Sequence, residues 1–245
     1  MSALGPTPTQ GAVKILEEKP RKENGVKYYV KFSFTITYIL LLTTATITLI
    51  EALRTPDPKV RHILNLETCI SIVAGYFYSV FTQQIHENDE KHTQIDWANI
   101  TQTRYIDWAI TTPMMLLALA LVLSQNSKTT VYASTIGTII ALNYLMLYIG
   151  YLGETGTLPR LYAMLGGFVP FIGMFSIIYI SYVRPLYRLS NGILFFTYLL
   201  VWSLYGIVFM FPEEYKNIFT NILDFIAKCF IGLGLWAYYT HIIHI

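Results

Sequence analysis

Seven apolar runs, at about 28–50, 64–81, 100–123, 130–152, 158–183, 189–211 and 218–239, account for most of the sequence. Each is close to the ~20 residues an α-helix needs to cross a hydrocarbon layer about 30 Å thick. Few folds remain open to such a chain, because in lipid every backbone polar group must be satisfied internally. The expectation is an all-α, seven-helix membrane bundle over 28–245, preceded by a polar tail at 1–27. The separators carry turn residues and charges, as in Thr55-Pro56-Asp57-Pro58 and Phe211-Pro212-Glu213-Glu214. With 54% hydrophobic and only 13% charged residues, the composition is that of an integral multi-pass protein of a plasma or other host membrane. The tail lacks the apolar core of a cleavable signal, so the first run is expected to direct insertion itself. Cys69 and Cys229 both lie in apolar runs, which suggests neither a disulfide framework nor a metal site. A net charge of +2 without a basic stripe offers nothing to a nucleic acid. The longest connection, 84–99, is read as a short hairpin.

Alternate connections differ in charge. Arg54, Lys59, Arg61, Lys128, Arg184 and Arg188 mark one side, and Glu87, Asp89, Glu90, Asp96, Glu154, Glu213 and Glu214 the other. Basic loops stay in the cytoplasm, so the expected N-terminus is outside and the C-terminus cytoplasmic. The tail argues the other way: Lys14, Lys19, Arg21, Lys22, Lys27 and Lys31 outnumber Glu17, Glu18 and Glu23. The three basic loops agree among themselves and carry the assignment.

With the loop charges set aside, the interior holds Arg104 and Asp107 in the third run, and Asp224 and Lys228 in the seventh. Lys228 falls near mid-membrane, with Asp224 one helical turn away on the same face. Charges at that depth cost several kcal/mol and mark ion pathways, relays or cofactor attachment. A buried ion pair that only fixes helix packing is the alternative. Arg104, Asp107, Thr111 and Met115 recur at spacings of three and four, hence on one helical face. Two carboxylates near one amine suit a delocalised cation, and a lysine amine forms a Schiff base with a carbonyl compound.

These residues carry a resemblance. Arg104-Tyr105-Ile106-Asp107-Trp108-Ala109-Ile110-Thr111-Thr112-Pro113 resembles the third-helix signature of microbial (type 1) rhodopsins. Leu223-Asp224-Phe225-Ile226-Ala227-Lys228 resembles their retinal attachment motif, and Trp202-Ser203-Leu204-Tyr205 their sixth-helix pocket wall. The resemblance implies all-trans retinal on Lys228, with Asp107 and Asp224 as counterions and Asp107 as proton acceptor. It further implies Thr111 hydrogen-bonded to Asp107, Arg104 on the outer side, and Trp108, Thr112, Met115, Trp202 and Tyr205 around the polyene. Met115 at the colour-tuning position suggests green absorption. No enzymatic activity is implied.

Members of this family differ in the events that light absorption sets off. An outward proton pump usually has a carboxylic donor eleven residues beyond the acceptor, where this chain has Ala118. Reprotonation is then expected from bulk water or from Glu51 and Glu67, read as membrane-edge carboxylates. Asp107 argues against chloride pumping, and Asp107, Thr111 and Ala118 depart from the Asn-Asp-Gln pattern of sodium pumps. Threonines and serines of the first two runs, with Glu51, Glu67 and Asn221, are the lining expected of a cation path; the same threonines are also common packing residues. Thr112 replaces the cysteine typical of green-algal channels. Compact loops, the short C-terminus, Thr111-Thr112-Pro113-Met114-Met115 and Trp202-Ser203-Leu204-Tyr205-Gly206 look more like rhodopsins of giant viruses of marine protists, one group of which is light-gated cation channels. The first reading is therefore a light-gated channel for monovalent cations or protons. A donorless outward proton pump is the second, and a sensor acting through a partner, with no signalling domain before Ile245, the third. Self-association stays open.

Overall fold

The computed structural model describes residues 25–91 and 93–243. The tail charges Lys14, Lys19, Arg21, Lys22, Glu17, Glu18 and Glu23, and the end of the chain at Ile245, lie outside the described residues. Seven helices are long and apolar enough to cross a membrane: α1 (Gly25–Arg54), α2 (Pro58–Glu90), α3 (Trp97–Ser127), α4 (Ala133–Glu154), α5 (Arg160–Leu186), α6 (Leu189–Val208) and α7 (Glu213–Tyr239). Short connections make sequential helices antiparallel. The face where α1, α3, α5 and α7 begin is the N-terminal face, and the one where they end is the C-terminal face.

Helix α2 outruns its apolar stretch. Asp57 caps it by accepting from the Lys59 amide at 2.8 Å, and Pro58 occupies the first turn. At its far end α2 stays helical through Glu90, so the hairpin expected at 84–99 is not formed. The polar residues there are helical because they find partners: Lys27 and Lys31 of α1 both reach Asp89. Two of the basic residues that argued against the topology are thus neutralised within the bundle. Asp96 caps α3 through the Asn99 amide at 3.1 Å.

Pro113 in α3 leaves the Ala109 carbonyl without its helical donor, and the Tyr144 hydroxyl of α4 donates to it at 3.1 Å. Gly206 of α6 has a packing reason as well. A Cβ there would sit 2.6 Å from Phe168 Cζ, so only glycine lets α5 and α6 close over that ring. The main core joins α3, α5, α6 and α7 through Leu116, Leu119, Phe175, Tyr198, Trp202 and Leu235, while Phe34, Tyr78 and Phe81 bind α1 to α2. Two π-helical turns interrupt the spans, Tyr179–Val183 in α5 and Phe225–Phe230 in α7. The second contains Lys228, and such widened turns recur at functional positions.

Candidate functional site

Lys228, Asp107, Asp224 and Arg104 meet in the centre of the bundle, all buried. Lys228 Nζ donates to Asp107 Oδ2 at 2.9 Å and lies 3.4 Å from Asp224 Oδ2. Two cations and two carboxylates balance, which is what a charge cluster in lipid requires.

The two carboxylates differ in how they are held. Asp224 Oδ1 accepts from the Tyr205 hydroxyl at 2.6 Å, and Oδ2 from the Tyr78 hydroxyl at 2.8 Å, with Arg104 Nη1 at 3.5 Å. Asp107 has only Lys228 on Oδ2, and its Oδ1 has no hydrogen-bond partner. Donors to every oxygen stabilise an ionised carboxylate; a carboxylate with one free oxygen is the readier proton acceptor.

Arg104 is fixed by amides of α7: Nη2 donates to Asn217 Oδ1 at 3.1 Å and to Asn221 Oδ1 at 2.8 Å. Its guanidinium lies against the Phe81 ring, 4.9 Å from the centroid. Asn221 also donates to Ser33 Oγ of α1 at 2.9 Å, so it ties α1, α2, α3 and α7 together.

Beside Lys228 a cavity opens between α3, α4, α5, α6 and α7. Trp108, Thr112, Met115, Trp202 and Tyr205, the residues the resemblance implies around the polyene, all line it. Trp108 and Tyr205 pack edge to face with centroids 5.6 Å apart, giving the slot flat walls. The Asn143 amide of α4 donates to Thr112 Oγ1 at 2.8 Å. Toward the N-terminal face the cavity continues to Glu154 and Lys216. There Lys216 Nζ reaches Glu154 at 2.7 Å and Glu213 at 2.9 Å, and Arg160 reaches Glu213 at 2.6 Å.

Some expectations change. Thr111 does bond to Asp107, but to its backbone carbonyl at 2.8 Å, leaving the carboxyl alone. This is the usual back-bond of a helical threonine. Glu67 is 2% exposed and lies against Thr44 of α1 and Gly232 of α7, so it faces into the bundle rather than solvent. Glu51 lies half-buried in the last turn of α1, apart from the central cluster. On α1, Thr35, Thr43 and Thr46 face outward and donate to their own helix. Tyr78, Asn143 and Lys216 are site residues that sequence reasoning missed. Asn143 is a polar residue within an apolar run, a signal that was there to use. Nothing distinguishes Tyr78 among 19 tyrosines.

A family model described as bacteriorhodopsin-like protein matches residues 29–242. The crystal structure of the viral rhodopsin OLPVRII superposes with a TM-score of 0.80 at 40% identity, covering 88% of this chain and 99% of that one. Xanthorhodopsin, described as a light-driven ion pump with dual chromophore, gives 0.71 at 19% identity, covering 86% and 92%, a likeness of fold alone. The blue-light absorbing proteorhodopsin of Gamma-proteobacterium Hot 75m4 is 27% identical over 152 residues, 56% of this chain and 60% of that protein. The matched segment thus spans under two thirds of that relative. All-trans retinal is the resting chromophore of the family. The residues present fit it, with an amine between two carboxylates at the side of an aromatic slot. The chain belongs to the bacteriorhodopsin-like family, the retinal-binding, seven-helix membrane proteins that serve light-driven ion transport or light sensing and are not enzymes.

Proposed function

We propose that the chain is a light-driven proton transporter with retinal joined to Lys228, moving protons toward the N-terminal face. The observation that carries this reading is the asymmetry of the two carboxylates. Asp107 lies 2.9 Å from the Lys228 nitrogen with a free oxygen, while Asp224 is held on both oxygens. Bound retinal supplies light absorption and an isomerisation that reorients the bond at the Lys228 nitrogen. Asp107 then takes the proton from that nitrogen, and Asp224, clamped by Tyr78 and Tyr205, stays ionised beside it. Arg104 stands next on the way out, followed by the Glu154, Glu213, Lys216 and Arg160 cluster at the end of the cavity. With the N-terminus outside, as loop charge favours, transport is outward.

This departs from the cation channel preferred on sequence. Thr35, Thr43 and Thr46 of α1 face outward, the inward-facing Thr44 and Thr48 donate to their own helix, and the C-terminal half of α3 presents buried Leu116, Leu119, Val122 and Leu123. This apolar layer offers a hydrated cation few ligands to replace its water. The test is photocurrent under voltage clamp in cells supplied with all-trans retinal. Outward current that keeps its sign at every voltage supports the pump; current that reverses with the ion gradients restores the channel. A pigment that bleaches and recovers without any current makes the chain a sensor.

A further inference from the structure

Four charges at the N-terminal end of the cavity close into a ring. Glu154 Oε2 accepts from Lys216 Nζ at 2.7 Å and from Arg160 Nη2 at 3.3 Å. Glu213 Oε1 accepts from Arg160 Nη2 at 2.6 Å and from Lys216 Nζ at 2.9 Å. Each cation thus holds both carboxylates. Exposed ion pairs contribute little, but the Lys216 and Glu154 side chains are only 8% and 7% exposed, so this side of the ring is shut away from solvent.

Two chain turns bring the ring together. Glu154 ends α4 and Arg160 begins α5, across a connection that Gly156 turns at φ 74°, a conformation suited to glycine. Glu213 and Lys216 share the first turn of α7, and Arg160 Nη1 donates to the Phe211 carbonyl just before it at 3.5 Å. The ring therefore fastens the α4–α5 connection to the α6–α7 connection.

It also stands between two hollows. The cavity beside Lys228 runs past Arg104 and Thr220 to Glu154 and Lys216. A vestibule on the N-terminal face is lined by Asp96, Trp97, Gln102, Glu154 and Glu213. Glu154 lines both, so at that point the wall between them is one side chain thick. Lys216 lies about 18 Å before Lys228 along α7, well clear of the attachment nitrogen. Asn217 links the ring to the central cluster: it donates to the Glu213 carbonyl at 2.9 Å and accepts from Arg104 at 3.1 Å.

Ion pairs make a different closure from apolar packing. While paired they fill the opening; once parted, four hydrated charges would line a wet passage. We propose that the Glu154, Arg160, Glu213 and Lys216 ring is the outer gate of the cavity, closed in the dark, which keeps water and small solutes of the N-terminal side away from Lys228 and bound retinal. The gate is the same whether the chain pumps, conducts or senses. Its pigment assay rests on retinal at Lys228, and its thiol assay does not.

The first assay adds hydroxylamine, a small water-soluble nucleophile, to the pigment in the dark. Its nitrogen replaces the lysine nitrogen on the retinal carbon, which releases retinal oxime and the Lys228 amine, so loss of visible absorption reports its entry. Lys216→Met removes a cation shared by both carboxylates. Bleaching should then be at least about tenfold faster than in wild type, because a buried carboxylate stripped of its partner favours the open form. Arg160→Gln, at the more exposed corner, should accelerate it less, and Lys216→Arg should stay near wild type. Lys27→Met removes an ion pair to Asp89 on the same face, away from both hollows, and should bleach as wild type does.

The second assay uses retinal-free protein carrying Thr220→Cys in the inner cavity. A water-soluble thiol reagent, followed by mass spectrometry at that position, should label it faster with K216M than without. Wild-type rates in both K216M and R160Q overturn the gate, and so does equal acceleration in K27M, which would mean general loosening of the face. If K216M does not fold, R160Q carries the same comparison. A wild-type protein that forms no visible pigment overturns the Lys228 reading alone, and thiol labelling then decides the gate by itself.

Discussion

The bundle divides at Lys228 into two halves built on opposite terms. Toward the N-terminal face, Asp107, Asp224, Arg104, Asn217 and Asn221 form a dense polar network that leads to four charges at the end of the cavity. Toward the C-terminal face, α3 buries Ala118, Leu119, Val122 and Leu123, and the buried acid among the described residues there, Glu67, has one oxygen without a hydrogen-bond partner. A proton leaving Lys228 has an acceptor at hydrogen-bond distance on one side and an apolar layer on the other. In the proton-transport reading proposed above, direction would follow from the composition of the two halves before any helix moves. The polar half satisfies most of its buried donors and acceptors, Asp107 Oδ1 excepted, while the α3 wall of the other half offers water few partners.

The largest expected effect is at the dividing point. Lys228→Ala should abolish visible absorption after incubation with retinal, because the attachment nitrogen is gone. A coloured pigment would move the attachment elsewhere and dissolve the division into halves.

Next come the two carboxylates, which their hydrogen bonds separate into acceptor and anchor. Asp107→Asn should shift the absorption maximum to the red and stop light-induced proton release, since the acceptor and half of the negative charge at Lys228 are lost. Asp224→Asn strips Tyr78, Tyr205 and Arg104 of their shared partner. Breaking a buried pair from one side costs about 3–5 kcal/mol, so the thermal bleaching temperature should fall more than in D107N. If D224N rather than D107N blocks the first proton transfer, the two roles are exchanged.

Such an outcome would correct a reading that was largely legible in the sequence. Lys228, Asp224, Asp107 and Arg104 are conspicuous because charge is rare in apolar runs, and helical spacing alone pairs them within each helix. The seven spans were legible for the same reason, although their ends were not. Polar residues such as Asp89 extend a helix when a lysine on another helix reaches them, and that contact is long-range. Tyr78 was illegible because its partner Asp224 is 146 residues away and a tyrosine is no anomaly in a membrane helix. The burial of Glu67 was missed because depth along a helix does not say which way the residue faces.

Smaller effects test the packing around the slot. Gly206→Ala puts a methyl against Phe168 and should cost about 1–3 kcal/mol of stability, read as faster thermal bleaching. An unchanged bleaching rate would mean that α5 and α6 can part at this point without penalty. Asn143→Ala removes the donor to Thr112 Oγ1 and should cost about 1 kcal/mol. Thr112 keeps its bond to the Trp108 carbonyl at 2.6 Å, so the wall of the slot stays in place and the absorption maximum should hold.

The smallest expected effect is the sharpest test of where ions travel. Thr46 faces outward on α1 and donates to the Leu42 carbonyl at 2.8 Å, and Glu51 is half-buried in the last turn of that helix. Neither belongs to the network around Lys228. If transport runs inside the bundle through Asp107, Thr46→Val and Glu51→Gln should leave photocurrent amplitude, its voltage dependence and pigment recovery as in wild type. A cation path leaving the bundle past the end of α1 makes the opposite demand at Glu51: removing its negative charge must reduce the current or shift its reversal, while outward-facing Thr46 serves as the control. The pair of substitutions thus separates the two readings without touching the chromophore site, whose own variants alter colour and transport together.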